Sequence, residues 1–297
     1  MNVLTQVVDN KYAMYNADNV DMVKQIPDNS IHYTIFSPPF SSLYTYSNSD
    51  RDMGNCKGDD EFIRHFSFLA KELYRITMPG RLLSFHCMDL PMMKSRDGVI
   101  GLKDFPGQLI SLFQEVGFIY HSKVTIWKNP VTEMQRTKAL GLLHKQIRKD
   151  SSMCRQGIPD YVVTMRKPGD NPEMIPHTYE NFPVDVWQQY ASPVWMDIRQ
   201  SETLQKKSAR SEKDEKHICP LQTSVIRRCI ELWTNPGDIV FDPFAEIGSV
   251  PYVAIRMGRR GLGCELKESY YEQAKANLAN ALEEESLPLT VGYLENC

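Results

Sequence analysis

No stretch of this chain approaches the ~18 uninterrupted apolar residues of a membrane-spanning helix, so nothing in it is expected to cross a bilayer. The opening residues, Met1-Asn-Val-Leu-Thr-Gln, lack a basic segment followed by an apolar run, and no secretory leader is expected. Cysteine is sparse and odd in number, seven in 297 residues, with no CxxC pair. Cys87, Cys229 and Cys264 sit in apolar runs and read as buried, reduced thiols, which fits a cytoplasmic protein. His217 and Cys219 would make half of a metal site, but no second half stands at suitable spacing, so no metal is expected. Internal repeats and low-complexity runs are absent too. Nor is there an excess of positive charge: 34 Lys and Arg face 37 Asp and Glu, a net charge of −3. A generally basic nucleic-acid coat is thereby excluded, and any such contact has to come from a local concentration of charge.

What is present is strand–helix alternation over a length that can bury one large core with an insertion. Ile31–Phe36 reads as a strand, and Glu61–Ile76 as a helix with Phe62, Phe66, Leu69 and Leu73 on one side. Pro79-Gly80 is expected to stop that helix before a buried strand at Arg81–Cys87. A helix over 104–116 closed by Gly117 follows, then β-rich residues 118–127. From 129 to 216 the rhythm falters, and only Tyr161–Met165 is clearly extended. It resumes at Pro220 with a helix carrying Leu221, Val225, Ile226, Ile230 and Trp233, a strand at 239–241, a helix at 250–257, a strand at 261–264 and a helix at 268–283. The pattern predicts an α/β fold, doubly wound around a mostly parallel sheet. It divides the chain into 1–128, an insertion over 129–216, and 217–297.

Two strand exits carry the chemistry. Thr34-Ile-Phe-Ser-Pro-Pro-Phe40 is a short strand running into a turn locked by two prolines, which donate no amide protons. Ser37 Oγ and the Pro38 carbonyl could therefore accept hydrogen bonds from an amine, and Phe40 could stack on a planar ring. Asp238-Ile-Val-Phe-Asp-Pro-Phe-Ala-Glu-Ile-Gly-Ser249 is a strand, a small-residue loop and a helix start, the geometry that holds a nucleotide-like ligand. Ala245, Gly248 and Ser249 allow close backbone approach, and Glu265 after the next strand can accept both hydroxyls of a ribose.

These motifs, and their order, resemble the β class of amino DNA methyltransferases, in which the catalytic turn precedes the cofactor loop. The resemblance covers roughly 12–90 and 212–283. It implies a permuted, Rossmann-like methyltransferase fold with an inserted target-recognition region, and S-adenosylmethionine as cofactor. It assigns Ser37, Pro38, Pro39 and Phe40 to catalysis. Asp242, Pro243, Phe244, Ala245, Gly248, Ser249 and Glu265 fall to the cofactor, along with His217 and Pro220 of Lys216-His-Ile-Cys-Pro220 and Asp18 of Asn16-Ala-Asp18. Phe36 and Phe244 would pack near the sulfonium, although plain core positions explain them nearly as well.

Several readings follow from the resemblance. Methylation inside a duplex needs the target base flipped out. Cytosine C5 chemistry needs a thiolate, usually from a Pro-Cys dipeptide, and none occurs. Ser at the first motif position favours cytosine N4 over adenine N6. Arg136, Lys138, Lys145, Arg148, Lys149 and Arg155 belong to a basic run ending at Lys167, set against only Asp150 and Asp160; with Tyr44 they form the expected DNA contacts. A solvated helix face explains such a run as readily, and its place between the motifs tilts the reading to DNA. Double-stranded DNA is the expected partner. A homodimer and a restriction endonuclease partner are left open. Glu246 stands where the family pattern has glycine. A positive φ there would cost a Glu roughly a kcal/mol or more. Its charge also approaches the expected methionine carboxylate, so the alternative is a catalytically impaired, DNA-binding relative.

Overall fold

The computed structural model describes residues 3–40, 53, 56, 58–92, 94–137, 140–204 and 220–286. In chain order the strands and helices begin with β1 (Thr5–Val8), β2 (Tyr12–Asn16), α1 (Asn19–Val23), β3 (Ile31–Phe36), α2 (Asp59–Ile76) and β4 (Thr77–Cys87). Then come β5 (Leu90–Met92), α3 (Lys94–Asp97), β6 (Gly101–Lys103), α4 (Phe105–Glu115), β7 (Ile119–Ile126), α5 (Pro130–Thr137) and α6 (His144–Ile147). The chain continues through β8 (Asp160–Arg166), α7 (Val184–Tyr190), β9 (Val194–Trp195) and α8 (Thr223–Trp233). It closes with β10 (Ile239–Asp242), α9 (Ser249–Arg256), β11 (Arg260–Glu265) and α10 (Glu268–Ser286).

Nine strands form one sheet in the order β1-β2-β11-β10-β3-β4-β8-β7-β9. From β2 to β4 the pairs are parallel, whereas β8 runs antiparallel to both β4 and β7. The centre decides where a site can lie. Strands β10 and β3 are neighbours, with Val240 opposite Tyr33 and Phe241 opposite Thr34. From β3 the chain crosses through α2 to β4 on one side, and from β10 through α9 to β11 on the other. Connections that part from adjacent parallel strands leave a crevice at their carboxyl ends, where doubly wound sheets bind ligands.

Burial on both faces explains why the central strands are apolar throughout. Phe36 packs with Phe62, Phe66, Leu69, Leu73 and Phe113 on the α2–α4 side. Tyr33, Ile35 and Val240 meet Val225, Ile226, Ile230 and Val250 on the α8–α9 side. Each such side chain contributes roughly 1.5–3 kcal/mol of hydrophobic stabilisation. His32 Nδ1 accepts from the Ile239 amide at 3.2 Å, tying the starts of β3 and β10 together. Among the described residues no helix is long and apolar enough to cross a membrane.

Two expectations need amending. Pro79-Gly80 does not separate helix from strand; α2 ends at Ile76 and β4 already begins at Thr77, whose Oγ1 donates to Leu73 O at 2.6 Å. The Pro-Gly pair instead forms an irregularity in the ladder, where pairing jumps from Ile31–Thr77 to Tyr33–Leu82. Gly80 has φ +71°, and a Cβ there would lie 2.5 Å from the Asn171 amide nitrogen, so only glycine fits. The 129–216 stretch also gives its extended segment to the main sheet, because Val162, Val163, Thr164 and Met165 are buried on two faces between β4 and β7.

Candidate active site

The loop from Asp242 to Ser249 is held by backbone hydrogen bonds, one to the end of β11 and one within itself. The Ala245 amide donates to Cys264 O (2.9 Å) and the Gly248 amide to Ala245 O (2.6 Å). Gly248 caps α9 at φ +81°, and a Cβ on it would lie 3.1 Å from that of Ala274. Glycine is thus required for conformation and for packing. Glu246 has φ +45°, so the strain foreseen for a non-glycine residue is real, roughly 1–2 kcal/mol. Glu265 braces it: Oε2 accepts from the Glu246 amide at 2.9 Å, and Oε1 from the Lys267 amide at 2.8 Å.

The Asp18 stretch joins this edge. Asn16 Nδ2 donates to the carbonyls of Glu265 (2.8 Å) and Leu266 (3.0 Å), and the Ala17 amide also reaches Glu265 O. Asn19 Nδ2 donates to Pro243 O at 3.1 Å, while Asp18 caps α1 by accepting from the Asp21 amide. Phe244 stacks on Phe66 with centroids 6.1 Å apart and lies 5.8 Å from Phe36. Phe36 itself is fully buried, and Phe244 offers the accessible aromatic surface. Pro220 is buried ahead of α8, and His217 lies outside the described residues.

Burial pushes Asp242 well above the ordinary carboxylate range; the Phe244 amide opposes this, and Glu246 and Glu265 add to it. Ser249 Oγ is buried at the head of α9 with no hydrogen-bond partner among the described residues. Acidic groups crowding one edge, an unpartnered hydroxyl and an aromatic floor suit a ligand that carries positive charge, hydroxyls and a flat ring.

Ser37 leaves β3 one strand away. Its Oγ lies 3.4 Å from both Nδ1 and the carbonyl of His86, near the end of β4. Pro38 is buried, Pro39 half-buried, and Phe40 meets Phe105 edge-on at 6.4 Å. Behind the serine, His86 Nε2 lies 3.3 Å from Asp160 Oδ2, and Lys128 Nζ donates to Asp160 Oδ1 at 2.5 Å. Burial alone would raise Asp160, but His86 and Lys128 outweigh it and hold the carboxyl below its usual range.

The sequence reading passed over His86 and Lys128 and counted Asp160 with the acids of the basic run. One signal was there for each of two residues. His86 is polar within the apolar run ending β4, and Asp160 opens the extended segment of β8. Lys128 had none.

The basic run divides. Lys145, Arg148 and Lys149 are exposed around α6, and Arg155 is half-buried with Nη1 on Gln156 O (2.8 Å). Arg136 falls within α5, while Tyr44 and Lys138 lie outside the described residues, as does most of the 41–58 loop. Lys167 is a correction. It is buried and donates to Asn29 Oδ1, Tyr74 O and Thr77 O at 2.7–2.8 Å, closing the end of α2 rather than facing DNA. At the opposite sheet edge His32, Glu173 and Asp238 converge, but Arg81 stands 3.1 Å from Asp238 and supplies the cation itself.

A mostly parallel, doubly wound sheet with a ligand loop at its switch point defines a Rossmann-like methyltransferase fold. A family model described as DNA methylase matches residues 31–276. The chain belongs to this family of S-adenosylmethionine-dependent amino DNA methyltransferases. Among curated relatives, the type II methyltransferase M.BglII of Bacillus subtilis is 21% identical over 280 residues, 88% of this chain and 67% of that protein. M.MjaI of Methanocaldococcus jannaschii is 22% identical over 82% of this chain and 84% of its own length. In fold, a DNA modification methylase of Thermus thermophilus complexed with S-adenosylmethionine superposes with TM-score 0.66 at 21% identity, covering 89% of this chain and 92% of that one. The cytosine-N4-specific PvuII DNA methyltransferase gives TM-score 0.66 at 17% identity, covering 95% and 94%.

Proposed function

We propose that this chain is a site-specific DNA methyltransferase acting on the exocyclic amine of a flipped base, with cytosine N4 favoured and adenine N6 second. The observation that carries the reading is the pairing of β3 with β10, which brings the exits holding Ser37 and Gly248 to one carboxyl edge. S-adenosylmethionine supplies a methyl group already activated on a sulfonium. Asp242, Glu265, Ser249, Phe244 and the Asp18 stretch are the residues to hold it. No enzyme nucleophile is then needed. The residues of the turn have another task, because the lone pair of a base amine is delocalised into the ring. Ser37 Oγ and the Pro38 carbonyl accept its N–H bonds and turn that lone pair out of the ring plane, and Phe40 bounds the base. This use of fixed acceptors is orientation catalysis. The parts of 129–216 outside β8 and β9 take the role of target recognition, with Lys145, Arg148, Lys149 and Arg155 at DNA phosphates. Binding should then weaken steeply as salt rises.

Expression in a host lacking its own base methylation, followed by nucleoside mass spectrometry, tests the proposal. N4-methylcytosine is expected; N6-methyladenine would reassign the base, and neither product would overturn the reading. One observation favours a second reading, a DNA-binding relative that no longer uses its cofactor: Glu246 holds a left-handed conformation and brings a further negative charge to the loop. Tritiated methyl transfer separates the two, since DNA binding without transfer, restored by Glu246→Gly, would support the second.

A further inference from the structure

From the line of contacts behind the catalytic turn, we infer that His86 is a positioning residue that fixes the Ser37 proton and receives it during transfer, held in that role by Asp160 and Lys128. The inference rests on the proposed function, and deepens it by naming where the proton of the amine goes.

Three neighbouring strands build the line. His86 lies near the end of β4, Asp160 opens β8 and Lys128 follows β7; Ile126 pairs with Asp160, which brings Lys128 within reach. His86 is 8% exposed and Asp160 5%, so bulk water competes little with their interaction. Among the described residues, the charges that face the imidazole are the Asp160 carboxylate at Nε2 and, across that carboxylate, the Lys128 ammonium. Nε2 stands 3.3 Å from the Asp160 carboxylate without the geometry of a hydrogen bond, and because an ionised carboxylate only accepts, its nearness favours the imidazole proton on Nε2 and leaves the Nδ1 lone pair toward Ser37. Among the described residues, the two acceptors within 3.4 Å of Ser37 Oγ, Nδ1 and the carbonyl, both belong to His86. The hydroxyl proton therefore points back into the protein, and the oxygen lone pairs face the crevice where an amine would donate. Separations of 3.4 Å are long for an O–H donor, as such contacts often are before substrate binds.

The balance closes without a further reactant. As the amine nitrogen forms its bond to the methyl carbon, the carbon–sulfur pair stays on sulfur and the nitrogen becomes cationic. That nitrogen gives one N–H proton to Ser37 Oγ, while the Ser37 proton passes to His86 Nδ1. The resulting imidazolium sits beside Asp160 and returns its proton to solvent after product leaves.

Two measurements on the full chain test this. In ¹⁵N-histidine NMR, His86 should be the neutral, Nε2-protonated tautomer near pH 7.5, with its Nδ1 signal moved by Ser37→Ala. An Nδ1-protonated ring, or a signal indifferent to Ser37→Ala, would overturn the inference whether or not transfer is seen. The second is tritiated methyl transfer to unmethylated bacterial genomic DNA with S-adenosylmethionine. His86→Gln should lower kcat roughly 100-fold, leave both KM values within about twofold, and remove the acid limb of the pH–kcat profile; added imidazole should recover part of the rate in His86→Gly. An unchanged acid limb, or loss confined to cofactor KM, would overturn it. Wild-type inactivity would count against the proposed function, and the NMR result would still decide the tautomer.

Discussion

The loop proposed to hold the cofactor (the cofactor loop) and the turn proposed to orient the amine (the catalytic turn) leave adjacent strands, yet they are built differently. Between Asp242 and Ser249 the structure is mostly local: a left-handed Glu246, a left-handed Gly248, and amides satisfied within the loop or by the neighbouring end of β11. The catalytic turn is short, and its polar support comes from β4, β7 and β8, with Asp160 and Lys128 standing far along the chain from Ser37. Local construction concentrates conformational demand in a few residues. Distributed construction spreads it over buried contacts that many side chains must jointly hold. Binding and transfer should accordingly fail separately.

The largest effect is expected at the turn. Ser37→Ala should lower kcat by roughly 100-fold or more while calorimetry shows cofactor affinity little changed; equal loss in both would erase the distinction. Next comes the loop, where Glu265→Ala removes the acceptor of the Glu246 and Lys267 amides. It should weaken cofactor binding by roughly 10- to 100-fold, the range expected for one or two hydrogen bonds to a charged group. Gly248→Ala sharpens the contrast from the side of stability. With φ at +81° and Ala274 Cβ at 3.1 Å, it should cost about 1–2 kcal/mol in denaturant unfolding. Glu246→Gly should run the other way, relieving about 1 kcal/mol of backbone strain and tightening cofactor binding several-fold; a loss of stability would contradict the strain.

The smallest effect is one of pH. Asp242 is held well above the usual carboxylate range in the folded state, so its contribution is fully present below the unfolded pKa and lost as pH rises through the folded value. Without cofactor, Asp242→Asn should raise the melting temperature near pH 8 and leave it unchanged at about pH 2.5, below the unfolded value. A variant less stable at pH 8 would show that the carboxylate is favourably solvated there.

The same contrast explains what could be read in the chain. The cofactor loop was legible because Asp242, Gly248 and Ser249 are near neighbours between a strand and a helix. Ser37-Pro38-Pro39-Phe40 was legible because prolines announce a rigid turn. Strand–helix alternation predicts a parallel sheet and leaves the order of its strands open, so the pairing of β3 with β10 is read from the structure. What escaped was non-local. Nothing in residues 128 and 160 alone says that antiparallel pairing of β7 with β8 brings an ammonium onto a carboxylate beside β4. Lys167 misled for the same reason. It continues a basic run in sequence, but its partners are the carbonyls ending α2. The Pro79-Gly80 pair resembles a helix stop followed by a new start, and its role became visible only with β3 alongside and Asn171 pressed against Gly80.

The most direct test is single-turnover transfer of a tritiated methyl group to unmethylated DNA, comparing wild type, Ser37→Ala and Glu265→Ala across cofactor concentration. One crevice with divided labour predicts that Glu265→Ala regains the wild-type rate at saturating cofactor, whereas Ser37→Ala stays slow at every concentration. Recovery of Ser37→Ala by cofactor, or failure of Glu265→Ala at saturation, would contradict it.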